Sequence, residues 1–192
     1  MKASELQVAD VILSTTSAAV SKVIKAGTVA TYSHAMLYVG RGTVVEAVAN
    51  GVVQRSIKLS LNEARLASAF RLKTLSGDQA QKIADYAISK VGGSYAYGGV
   101  FGGSGLVSVL SAPAQPWLHL ARWGANKVKA GVGSKRTYFC SELVEDSFES
   151  QELTVSRYYP SMTNPGDIDE YSERNPTTFP KLGELELPPD IG

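Results

Sequence analysis

Cys140 is the single cysteine of this 192-residue chain. It stands in Tyr138-Phe139-Cys140-Ser141-Glu142-Leu143-Val144, where a helix should begin. A helix N-terminus carries partial positive charge and unpaired N–H groups, which favour thiolate over thiol. The thiolate is the nucleophilic form, so the position suits attack on a carbonyl carbon. The other reading is a buried cysteine acting as a small hydrophobe. A partner base is offered by His34, in Tyr32-Ser33-His34-Ala35-Met36-Leu37-Tyr38-Val39-Gly40. A third group, Glu46, follows in Thr43-Val44-Val45-Glu46-Ala47-Val48. Read singly, His34 could be a surface histidine before a strand and Glu46 a rim carboxylate.

The elements that must position these groups follow from periodicity. Both segments have the β-branched and aromatic content of strands, and Gly40-Arg41-Gly42 makes the turn between them. Alternation places His34, Met36 and Tyr38 on one face and Ala35, Leu37 and Val39 on the other. Glu46 shares a face with Val44 and Val48, an apolar setting in which a carboxylate needs a partner. A hairpin can hold it beside His34 and fix the ring's tautomer. Helical spacing runs from Thr16 to about Ala26. Ser60-Leu61-Asn62-Glu63 has a capping-box pattern and is expected to start a short helix. Phe70 to Leu75 reads as a further strand. Ser76-Gly77-Asp78-Gln79 opens the clearest helix, with Ala80, Ile83, Ala84, Ala87, Ile88 and Val91 as one stripe and Gly92-Gly93 as its stop. The cysteine helix should turn Leu143, Val144 and Phe148 inward, with Glu142, Glu145, Asp146 and Glu149 on its other side. Strands among helices without a βαβ rhythm predict an α+β fold.

Composition fits one globular domain. With 44% hydrophobic residues the chain can bury a core without staples. A formal net charge of +1 leaves no basic footprint, so nucleic acid is not an expected partner. One cysteine excludes an intramolecular disulfide framework and fits a reducing compartment. Met1-Lys2-Ala3-Ser4-Glu5-Leu6-Gln7 lacks the apolar core of a signal peptide, so the expected location is cytoplasmic. No apolar run reaches membrane-spanning length.

Other chemistries fail on spacing. Gly102-Gly103-Ser104-Gly105-Leu106 lacks the last glycine of a nucleophile elbow, and these glycines lack the Lys-Ser/Thr of a phosphate loop. His34 and His119 have no metalloprotease spacing, and one cysteine cannot build a thiolate-rich zinc site, so neither metal nor cofactor is expected. His119 sits between two leucines and reads as a packing or lid residue. Residues 98–137 are glycine-rich at their start and carry Trp117 and Trp123. They read as a lid or recognition insertion, or equally as a helical hairpin packed on the domain; their apolar content also allows contact with lipid.

Taken together, the order histidine strand, polar residue on the next strand, then cysteine helix resembles the circularly permuted branch of the NlpC-type papain-like cysteine peptidases. These are the YiiX/YaeF-like proteins, related to the lecithin:retinol acyltransferase-like enzymes. Asp10-Val11-Ile12-Leu13-Ser14 is similar to their opening strand, with Ala9 where a glycine is usual. Ser33 to Val39 is similar to the histidine strand, and Val45-Glu46-Ala47 to the strand after it. Gly92-Gly93-Ser94-Tyr95-Ala96-Tyr97-Gly98-Gly99 resembles the glycine–tyrosine segment, and Phe139 to Val144 the start of the catalytic helix. Asn164-Pro165-Gly166-Asp167-Ile168 loosely resembles the closing segment. The similarity covers roughly residues 8–150.

The resemblance implies a single papain-like domain over residues 1–192, with a central antiparallel sheet, the cysteine helix packed on it, the insertion at 98–137 and an extended C-terminal wrap at 156–192. It implies Cys140 as nucleophile, His34 as base and Glu46 as the residue orienting it. Tyr138, Tyr95 and Ser33 are expected at the oxyanion hole or substrate pocket. The expected activity is an amidase or peptidase working through a thioester, on amide bonds of peptidoglycan stem peptides. Such a target would require export by a dedicated secretion machine to a target-cell periplasm, with an immunity or inhibitor protein as partner. The alternatives are a lipid-directed thioesterase, phospholipase or acyltransferase, and a non-catalytic binding module.

Overall fold

A computed structural model describes residues 1–16, 31–95 and 137–188, with backbone alone at Thr16, Ser94, Tyr95 and Thr137. The helix expected from Thr16 to about Ala26 lies almost entirely outside these residues. So does nearly all of the 98–137 stretch, with Trp117, His119 and Trp123.

The first half of the chain is a run of antiparallel strands. These are β1 (Val11–Thr16), β2 (His34–Gly40), β3 (Thr43–Val48) and β4 (Gly51–Ser56), then the single-turn helix α1 (Ile57–Ser60) and β5 (Ala64–Phe70). Helix α2 (Gly77–Ser89) follows, and the short strands β6 (Ser94–Tyr95) and β7 (Thr137–Tyr138) flank the undescribed stretch. Helix α3 (Cys140–Glu149), helix α4 (Pro165–Arg174) and β8 (Lys181–Glu184) complete the chain. The main sheet has six strands in the order β4-β3-β2-β1-β5-β8, every pair antiparallel. Among the described residues, β6 and β7 form the second sheet, a parallel pair with Tyr95 opposite Tyr138.

The central strands are apolar because both faces of the sheet are covered. Val11, Leu13, Ala35, Leu37 and Val45 join Ile83 and Ala87 of α2 and Leu143, Val144 and Phe148 of α3 in one core. Ile12, Met36, Tyr38 and Val44 alternate with them and pack against Leu6, Ile57, Leu61 and Leu185 on the other side. Each fully buried side chain of this size contributes roughly 1.5–3 kcal/mol relative to exposure. At the β2–β3 turn, Gly40, Arg41 and Gly42 all take positive φ, at 93°, 52° and 72°. Two of these three positions are glycine, the residue that adopts this conformation without cost. Ala9 also has positive φ, 68°, at the place where the resemblance has glycine.

Several expectations are corrected. Ser60 does not start a helix; it ends α1, whose N-cap is Ser56, with the Ser56 hydroxyl accepting from Leu59 N–H. The Ser60 hydroxyl is engaged by Glu46 instead. The strand expected at Phe70 to Leu75 lies earlier, at Ala64–Phe70, because these residues pair with β1. Just past it, the Arg71 side chain grips the buried carboxylate of Asp10 through Nε at 2.7 Å and Nη2 at 2.6 Å. Helix α2 has the expected cap, with Ser76 and Gln79 bonded reciprocally, but Val91 falls beyond its end and is 44% exposed.

In α3, Leu143, Val144 and Phe148 are buried as expected, but so are Glu145 and Asp146. Glu145 accepts from the Thr154 hydroxyl and from Val155 N–H, and Asp146 accepts from the Tyr86 hydroxyl of α2. The C-terminal region is not a simple extended wrap. Asn164 caps α4, with Pro165 in its first turn, and β8 joins the edge of the sheet beside β5.

Candidate active site

Cys140 is the first residue of α3, and Phe139 is its N-cap with extended backbone. The Glu142 carboxylate reaches back to accept from Phe139 N–H at 3.2 Å, which holds the entry to the helix. The helix packs on the face of Ala35 and Leu37. Ladder pairs between β2 and β3 include Leu37–Val45 and Tyr38–Val44 but do not extend back to Ala35. At that opened end the N–H of Ala35 is free to bond the sulfur of Cys140, and the N–H of Ser141 bonds it too.

His34 begins β2 between two partners. Its Nε2–H donates to Glu46 Oε2 at 2.5 Å. A second side-chain hydrogen bond joins the ring to Cys140, and Nδ1 is the nitrogen left to make it. Alternation puts Glu46 on the His34 face of the hairpin, opposite the face that α3 covers, so the ring is held from both sides. The Glu46 side chain has no exposure, and that of His34 has 22%, so one edge of the ring reaches solvent.

The charges follow from these contacts. Burial opposes ionisation of the Cys140 thiol, but the His34 charge and bond, with the N–H groups of Ala35 and Ser141, bring its pKa below the ordinary thiol value. Burial likewise opposes the imidazolium, but the Cys140 thiolate and the Glu46 carboxylate outweigh it and raise His34 from 6.5 to about 10. Burial would raise Glu46, yet His34, then Arg55 and Ser60, lower it from 4.5 to about 2. The shifts of the three groups run together, toward a thiolate at Cys140, an imidazolium at His34 and a carboxylate at Glu46.

The remaining expected residues are placed differently. Tyr138 is buried in the core on the α3 side, directly before the cysteine turn. The backbone of Tyr95 pairs beside it, which brings Ser94 and Tyr95 next to the strand that leads into the cysteine helix; the Tyr95 side chain lies outside what is described. Ser33 is exposed, and its hydroxyl donates to that of Thr15 on β1 at 3.4 Å. Two residues at the site escaped the sequence reading. Arg55 Nε donates to Glu46 Oε1 at 2.5 Å, and the Ser60 hydroxyl donates to the same oxygen at 2.6 Å. The signal for Arg55 was strand β4 after Gly51, in which Arg55 lies opposite Val44 and so shares the face of Glu46.

Comparison with known proteins agrees with this fold. The family model of the permuted papain-like amidase enzymes, YaeF/YiiX, C92 family, matches residues 5–101, just over half of the chain. That span includes His34 and Glu46 and ends before Cys140. Among solved structures, the metalloprotein yiiX from Escherichia coli O157:H7 is 20% identical, with 95% of this chain and 89% of that one covered and a TM-score of 0.53. This likeness is one of fold. In this chain, no group of three His, Cys, Asp or Glu among the described residues is arranged to hold a metal ion. No curated protein matches the sequence. With its α+β architecture and six-stranded antiparallel sheet, the chain belongs to the permuted papain-like amidase family, YaeF/YiiX, C92.

Proposed function

We propose that the protein is a cysteine-dependent amidase that works through a thioester on Cys140. The observation that carries this is His34 held between the Cys140 sulfur and the Glu46 carboxylate. The thiolate attacks the carbonyl carbon of the scissile amide, and His34 gives its Nδ1 proton to the departing amine. Water then attacks the thioester, with His34 taking its proton, and the acid product leaves with the thiolate restored. Glu46 keeps the ring oriented and stabilises its charged form throughout. The Cys140 N–H, at the first turn of α3, is the donor for the oxyanion.

For the substrate we infer peptide amide bonds of the kind found in peptidoglycan stem peptides, with the family's amidase character as support. Export to a target cell and an immunity partner belong to the same proposal. The test is digestion of purified muropeptides followed by mass spectrometry, run beside an acyl-lipid hydrolysis and transfer assay. New stem-peptide fragments from the wild type, lost in Cys140→Ala and reduced about 10²–10⁴-fold in His34→Ala, support the reading. Turnover of the lipid alone would move the protein to the acyltransferase-like class. Activity untouched by Cys140→Ala would remove the mechanism.

A further inference from the structure

Glu46 uses its two oxygens for different tasks. Oε2 faces the His34 ring, while Oε1 receives Arg55 Nε–H at 2.5 Å and the Ser60 hydroxyl at 2.6 Å. Arg55 Nε also lies 3.1 Å from Ser60 Oγ, so Ser60 accepts from Arg55 while donating to Glu46. The three donors come from three elements, β2, β4 and α1. A carboxylate's terminal torsion is broad when nothing holds it, so Oε2 would be a poorly fixed acceptor by itself. Anchoring Oε1 at two points fixes the plane of the carboxylate and thereby aims Oε2 at the ring.

We propose that Arg55 and Ser60 are positioning residues of the catalytic row, keeping Glu46 ionised and correctly turned so that His34 stays oriented toward Cys140. This rests on the reading of Cys140, His34 and Glu46 given above. Among the described residues, the charged or titratable groups bonded to Glu46 are His34 on β2 and Arg55 on β4; Ser60 on α1 adds a neutral donor, and Cys140 on α3 acts through His34. Without Arg55 or Ser60, Glu46 takes up a proton at higher pH, His34 loses its acceptor, and the thiolate loses its counter-ion. The acid limb of Cys140 reactivity then moves upward. Loss of stability alone would reduce folded protein without moving that limb.

The experiment is the pH dependence of iodoacetamide alkylation at Cys140, read by intact mass on the full chain. It compares the wild type with Arg55→Gln, Arg55→Lys, Ser60→Ala, Ser60→Thr and Glu46→Gln. Arg55→Gln and Ser60→Ala should each raise the acid limb by about one pH unit, a fall of about tenfold in rate on the limb. Rates at pH 8 should stay close to wild type, and Arg55→Lys and Ser60→Thr should recover part of the shift. If Arg55→Gln fails to fold, the Ser60→Ala and Ser60→Thr pair carries the same readout. Wild-type limbs in the Arg55 and Ser60 variants, with Glu46→Gln displaced, would overturn this proposal alone. A wild-type protein that alkylates like an ordinary thiol would overturn the underlying catalytic reading as well.

Discussion

Removing the Glu46 carboxylate should cost both stability and activity, and the stability cost should fade in acid. The side chain is fully buried and accepts from His34, Arg55 and Ser60. Its pKa falls from 4.5 to about 2, which corresponds to about 3 kcal/mol of stabilisation of the ionised folded state. Because the folded value is the lower one, this stabilisation is complete above pH 4.5 and is lost as pH falls toward about 2. Glu46→Ala leaves the imidazolium and Arg55 without their acceptor, so the loss at pH 7 should be about 3 kcal/mol or more. For a chain of this size that is a fall of roughly 6–12 °C in melting temperature. Glu46→Gln keeps one acceptor oxygen for His34 but turns an amide N–H toward the other donors, so it should lie between wild type and Glu46→Ala in stability and activity. The assay is urea unfolding of the three proteins from pH 7 down to about pH 3, with the gap between wild type and Glu46→Ala closing over the acid half of that range. A Glu46→Ala protein within about 1 kcal/mol of wild type at pH 7, or a gap that stays constant into acid, would refute the reasoning.

Glu145 should behave in the opposite sense, because burial raises it from 4.5 to about 7 despite its bonds from Thr154 and Val155. Its effect is a loss of stability as pH rises from 4.5 through 7, so Glu145→Gln should stabilise the protein at pH 8 by up to about 3 kcal/mol and have no effect below pH 4.5; equal stability at pH 8 would reject this. Arg71→Leu should destabilise the fold by about 3–5 kcal/mol in urea unfolding at pH 7, since it leaves the buried Asp10 carboxylate without its two-pronged partner; a loss under 1 kcal/mol would contradict that account.

The row of Cys140, His34 and Glu46 was legible because two short-range rules place it. Period-two alternation around the Gly40-Arg41-Gly42 turn puts His34 and Glu46 on one face whatever covers the sheet. A helix start at Cys140 is set by its apolar spacing and by Glu142 reaching back to Phe139. Features made by contacts distant in sequence were not legible. Ser60 carries the pattern of a helix cap, but Ser56 already caps that turn, and the Ser60 hydroxyl is drawn to a carboxylate on β3. Glu145 and Asp146 look like the solvent side of α3, yet Thr154, Val155 and Tyr86 cover them. Strand β8 is four residues long and only partly buried, so it has little alternation to read. The α4 cap, by contrast, was present as Asn164-Pro165-Gly166-Asp167, and the neighbouring prolines obscured it.

The central claim is that His34 is an imidazolium paired with the Cys140 thiolate, and nitrogen-resolved NMR of the histidine ring tests it directly. The chain has two histidines, so comparison with His34→Gln assigns the signals. Both ring nitrogens of His34 should remain protonated through pH 8 and titrate near 10. In Cys140→Ala the titration should move down, because burial then acts against the charge without the thiolate to oppose it. A His34 ring that titrates near 6.5 in the wild type, and does so unchanged in Cys140→Ala, would contradict the account.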